Sequence, residues 1–169
     1  MGARLLPRTL PELFSYSLAI EREATKRYTE LERFLRAIGV EHIADEFERL
    51  GREEREQYEV IALGTSGREL PELAGWELSW HFAAQAAEAH APCSTRQAIA
   101  MALSLERRTQ AFYNDVAEHA RNDAVRAFAA EMANDEQRHV LRLEILLERQ
   151  AAGGGLEAEE GLPPARDAG

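Results

Sequence analysis

Two glutamate–tyrosine pairs in this chain share one spacing. Glu21 precedes Tyr28 by seven residues, and Glu106 precedes Tyr113 by seven. Two three-residue steps accompany them, Glu54 to Gln57 and Glu136 to His139. Residues three apart share a helix face, so each step aims two polar groups at one region. Four carboxylates gathered in a core repel one another unless they are protonated or bound to cations, and two divalent ions balance their charge. Carboxylate oxygens can bridge such ions, and imidazole nitrogen suits a transition metal. Ions about 3.5–4 Å apart can hold an oxygen species between them. Iron is the expected metal for redox work, because zinc has no accessible redox change; manganese or zinc are the expected substitutes.

Such a constellation needs long helices to carry it, and the apolar periodicity supplies them. The first expected helix runs from about Pro11 to Ile38, with a Thr9–Glu12 capping box and Gly39 at the exit. Its stripe reads Phe14, Leu18, Glu21, Thr25, Tyr28, Leu31, Leu35, Ile38. The second runs from about Val40 to Leu63, with stripe Ile43, Phe47, Leu50, Glu54, Gln57, Ile61. The third starts after Ser94, paired with Gln97, and carries Ile99, Leu103, Glu106, Gln110, Tyr113, Val116 and Ala120. The fourth is capped by Asp123 and runs to about Gln150, carrying Val125, Phe128, Met132, Glu136, His139, Leu143 and Leu146. Every stripe is apolar except near its middle. A crossover from Gly64 to Cys93 separates the second and third helices, with a short helix expected from about Trp76 to His90. The reading is all-α, a four-helix bundle with one long crossover over residues 1–150, followed by a flexible tail over 151–169 that is rich in Gly, Pro and acidic residues.

Composition narrows the partners. Acidic residues outnumber basic ones by 30 to 20, for a net charge of −10, which argues against nucleic acid. Cys93 is the single cysteine, so no intrachain disulfide or four-cysteine metal knuckle forms, and a cytoplasmic location is expected. Met1–Leu10 has no uninterrupted apolar run, so neither a secretory signal nor a membrane anchor is expected there.

Taken in order, Glu21 through Tyr28, Phe47 through Gln57, Glu106 through Tyr113, and Asp135-Glu136-Gln137-Arg138-His139 resemble the rubrerythrin-like branch of the ferritin-like di-iron carboxylate superfamily. The resemblance spans about Pro11 to Gln150. It implies a di-iron site that reacts with peroxide or dioxygen, as a peroxidase or ferroxidase. Glu54 and Glu136 would bridge, Glu21 and Glu106 would be terminal ligands, and His139 the nitrogen donor. Tyr28, Tyr113 and Asp135 would support the ligands. A homodimer is implied as well. Gln57 takes the ligand position where the family has a second histidine, and Thr109 stands where rubrerythrins often carry another glutamate. With Cys93 the single cysteine, a rubredoxin-like domain is not expected, and electrons would come from an external donor. Two other functions compete: a metal-binding protein with weak or no catalysis, motivated by Gln57, and a non-catalytic scaffold whose buried acids pair with Arg22, Arg107 or Arg138.

Overall fold

The computed structural model describes residues 6–74 and 91–153. The expected crossover helix at Trp76–His90, with Trp80, Phe82 and His81, lies outside them, as does the expected tail beyond Gly153. The described chain forms four helices: α1 (Leu10–Ala37), α2 (Glu41–Gly64), α3 (Thr95–His119) and α4 (Asp123–Gly153). The architecture is the all-α ferritin-like four-helix bundle. None of these helices is long and apolar enough to cross a membrane.

The helix ends follow from local chemistry. Thr9 and Glu12 form the reciprocal capping box on α1. At its other end Gly39 adopts φ 78°, its N–H bonds Arg36 O, and the Val40 N–H bonds Leu35 O. This left-handed exit turns the chain straight into α2. Ser94 caps α3 by accepting from the Gln97 N–H at 3.1 Å, while the Gln97 side chain accepts from Cys93 N at 2.7 Å. The cap of α4 corrects the sequence reading: Asn122, not Asp123, accepts from the N–H groups of Ala124 and Val125. Asp123 is already helical and ion-pairs with Arg126.

Helix α1 packs along α2, and α3 along α4. Cross-links between these hairpins fix the remaining directions. Tyr28 of α1 reaches Glu106 of α3, and Tyr113 of α3 reaches Glu21 of α1. Later residues of one helix thus meet earlier residues of the other, so α1 and α3 are antiparallel. Glu46 and Glu53 of α2 meet Arg142 of α4, whereas the later Gln57 meets the earlier Asp135, so α2 and α4 are antiparallel as well. Helices α2 and α3 therefore run parallel, as a single long crossover requires.

The core divides into two apolar clusters. One contains Leu31, Leu35, Ile43, Phe47, Leu50, Ile99, Leu103 and Leu143. The other contains Leu13, Tyr16, Ile20, Ile61, Phe112, Val116, Val125 and Met132. The stripe of α1 differs from expectation at its ends. Leu13, Ser17 and Ile20 are buried, whereas Phe14 and Leu18 are only half-buried and Ile38 is exposed. Near the site, α1 and α2 approach closely at Gly51, where an added Cβ would lie 2.9 Å from Tyr28 Cβ.

Candidate metal centre

Each helix contributes one glutamate to a buried polar layer. Glu21 is 0% exposed, Glu54, Glu106 and Glu136 are 1%, and His139 is 3%. One donor atom from each of Glu54, Glu106, Glu136 and His139 lies within 4.8 Å of every other. His139 Nδ1 sits 2.6 Å from Glu54 Oε1, 3.8 Å from Glu136 Oε2 and 3.9 Å from Glu106 Oε2. The 2.6 Å contact is close but not aligned as a hydrogen bond, since both atoms remain without a hydrogen-bond partner. Glu21 Oε2 and both Glu136 oxygens are buried and unpartnered too. Native interiors seldom leave buried polar atoms unpaired, so converging carboxylate oxygens and an imidazole nitrogen fit a site for metal ions. Glu21 adjoins the group, close enough for the charges of Glu54 and Glu136 to act on it.

Two tyrosines brace the layer from opposite sides. The Tyr28 hydroxyl donates to Glu106 Oε1, and the Tyr113 hydroxyl donates to Glu21 Oε1 at 2.9 Å while lying 3.0 Å from Ser17 Oγ. The seven-residue spacing noted in the sequence is the antiparallel register of this exchange. Burial, then the adjacent carboxylates, pushes both phenols well above their ordinary pKa. They stay protonated and serve as donors.

Charge in the layer is self-limiting. Burial, then the charges of Glu54 and Glu136, raises the Glu21 pKa well above the usual carboxylate range. Burial, then Glu106 and Glu54, does the same to Glu136. Burial opposes the charged forms of His139 and Glu106 as well, but the two stabilise each other, so His139 is raised and Glu106 lowered. Without cations, then, the cluster holds protons that ions would displace.

The candidate site residues fall into distinct places. Glu54, Glu106, Glu136 and His139 meet, and Glu21 borders them. Gln57 is half-buried, and its Nε2 donates to Asp135 Oδ2 at 2.7 Å. Thr109 is buried, with its hydroxyl donating to Leu105 O. Arg138 pairs with Asp135 and Arg107 with Glu144, which leaves neither on a buried glutamate. His42 and His119 are exposed.

Glu53 and Arg142 were not singled out in the sequence. Glu53 Oε2 lies 3.2 Å from His139 Nε2, and Arg142 holds both Glu53 oxygens at 2.8 Å. Burial would raise the Glu53 pKa, but Arg142 and His139 hold it below its ordinary value. This carboxylate orients the ring and leaves Nδ1 facing the cluster. The repeat itself contained the signal: Glu53 precedes Glu54 as Asp135 precedes Glu136.

A fold of this type with a buried carboxylate–histidine cluster defines a ferritin-like bundle fit to hold metal ions. Comparison with a solved structure agrees. The crystal structure of an uncharacterised conserved protein from Magnetospirillum magnetotacticum MS-1 is similar, with a TM-score of 0.71 and 25% sequence identity over 83% of this chain and 95% of that one. No protein-family model and no curated protein matches the chain.

Proposed function

We propose that the protein is a non-haem di-iron oxidoreductase of the rubrerythrin type, acting on peroxide or dioxygen as a peroxidase or ferroxidase. The observation that carries this reading is the set of converging, buried and unpartnered donor atoms from Glu21, Glu54, Glu136 and His139. Glu21, Glu54, Glu106, Glu136 and His139 would hold two iron ions, with Glu54 and Glu136 as bridges. Bound iron would supply the change of oxidation state that the side chains themselves lack. Tyr28 and Tyr113 keep Glu106 and Glu21 oriented, and Glu53 keeps Nδ1 of His139 available. The two apolar clusters exclude bulk water from either end of the layer. A groove of about 320 Å³ between α2 and α4 has Gln57 and His139 among its lining residues. Its walls include Val60, Phe128 and Met132, and Glu56 and Glu131 also line it. It offers a small oxidant a way in. The same reading carries an external electron donor, a cytoplasmic location and a homodimer.

The test is to load metal-free protein with ferrous iron under anaerobic conditions, confirm metal content, add peroxide or air, and follow ferric absorbance. Metal-dependent turnover is expected; metal-loaded protein that does not turn over rejects the enzymatic reading. In that case the second reading holds, a metal-binding protein with weak or no catalysis. The observation favouring it is Gln57, whose amide stands where an imidazole would bind iron more strongly.

A further inference from the structure

The two halves of the site follow one building rule. In α2 the acid before the glutamate, Glu53, reaches across to His139 on α4. In α4 the acid before the glutamate, Asp135, reaches across to Gln57 on α2. Each acid thereby decides which end of its partner is left over. An imidazole that gives its Nε2–H to Glu53 keeps a lone pair on Nδ1. The amide case is stricter, because a carboxylate has acceptors only. Asp135 must take the NH2 of Gln57, at 2.7 Å, while Arg138 engages its other oxygen at 2.5 Å. Gln57 Oε1 is therefore the end turned from Asp135, and it is buried with no hydrogen-bond partner among the described residues. Gln57 lies one turn beyond Glu54 on the same helix face and lines the groove beside His139.

We propose that Asp135 is a positioning residue that holds Gln57 as a neutral oxygen ligand, so that the two ion positions are chemically unequal. One includes the imidazole nitrogen of His139; the other has oxygen donors only. This rests on the metal-centre reading above. Amide and carboxylate oxygens suit a harder ion such as manganese(II), whereas imidazole favours iron or zinc. Gln57 is thus the residue that narrows the preference for iron over manganese at its own position and leaves the His139 position unaffected.

The test is an anaerobic equilibrium titration of the full chain with ferrous iron and, separately, with manganese(II), reading ions bound per chain and the Kd of each step. The wild type should bind two ions in unequal steps. Asp135→Asn can donate to Gln57 Oε1 and turn the amide, so it should weaken the weaker step alone, by about 10-fold or more. Gln57→Ala should do the same. Gln57→His should strengthen that step more for iron than for manganese, and it answers the question even if Asp135→Asn fails to fold by circular dichroism. Variants at Asp135 and Gln57 that weaken neither step, or both alike, overturn the inference while the metal centre stands. So does a Gln57→His gain equal for both metals. A wild type that binds no ion overturns the metal centre and the inference with it.

Discussion

Gly51→Ala sets helix propensity against packing at the edge of the site. In an unobstructed helix interior the change should stabilise by about 0.8–1 kcal/mol. At Gly51 the new methyl would lie 2.9 Å from Tyr28 Cβ, a separation that Cβ contacts do not tolerate. Tyr28 Cβ is fixed to the backbone of α1, so no rotamer change relieves the clash, and the two helices must part. Overpacking of this kind costs about 1–3 kcal/mol, which exceeds the propensity gain over most of its range. We expect a net loss of about 1 kcal/mol in urea unfolding. The displacement is also transmitted to the metal centre, because the Tyr28 hydroxyl holds Glu106. Metal affinity should therefore fall together with stability. Gly64→Ala is the matched control: nothing lies within 4 Å of its added Cβ, so it should leave both quantities unchanged or raise stability slightly. If Gly51→Ala is as stable as the wild type or more so, the close approach of α1 and α2 is not what the geometry implies.

Tyr113→Phe leaves Glu21 Oε1 without its buried donor and should cost about 1–3 kcal/mol of stability, read by thermal or denaturant unfolding. Asn122→Ala should cost about 1 kcal/mol by uncapping α4, and Asp123→Ala less; the reverse order would return the cap to Asp123. The metal-free protein should lose stability as pH rises above about 4.5. Glu21 and Glu136 have folded pKa values raised well above the ordinary glutamate value, so over this range the folded state binds more protons than the unfolded state. Glu53 and Glu106 are shifted downward and act in the opposite sense only below it. Metal loading should release protons and remove this slope, and a Tm that rises with pH in the metal-free protein would contradict it.

Much of the bundle was legible because helix periodicity is strong over long stretches. Every stripe residue of α2 from Ile43 to Glu54 and of α4 from Met132 to Leu143 is buried, and the stripes pass over only their buried neighbours Ala44, Gly51, Ala133 and Val140. Errors arose where two neighbouring positions satisfy the same local rule. Leu13 and Phe14 are both apolar and both open a stripe with steps of three or four, but the face through Leu13 includes Ser17, whose polarity concealed it. Asn122 and Asp123 are both good caps one residue apart, and local chemistry alone does not rank them. Within the site, the glutamates stood out because a charged residue interrupts an apolar stripe. Glu53 did not, since residues adjacent along a helix point in different directions and it reads as surface. Its role depends on the register between α2 and α4, which brings His139 and Arg142 within reach. Only the internal repeat, Glu53-Glu54 against Asp135-Glu136, could have pointed to it in advance.

That repeat also explains how Gln57 would be compatible with the proposed centre. Four glutamates carry four negative charges, and two divalent ions balance them only if the remaining donors are neutral. An imidazole with its proton on Nε2 is neutral, and so is an amide. A carboxylate at position 57 would add an uncompensated buried charge, and an aliphatic side chain would leave Asp135 without the amide donor it accepts from. Glutamine satisfies Asp135 and keeps the charge balance, changing only the atom offered to the ion. The frame formed by Glu53, Asp135 and the two tyrosines is common to both halves, so the asymmetry of the proposed centre would be confined to the difference between one nitrogen and one oxygen.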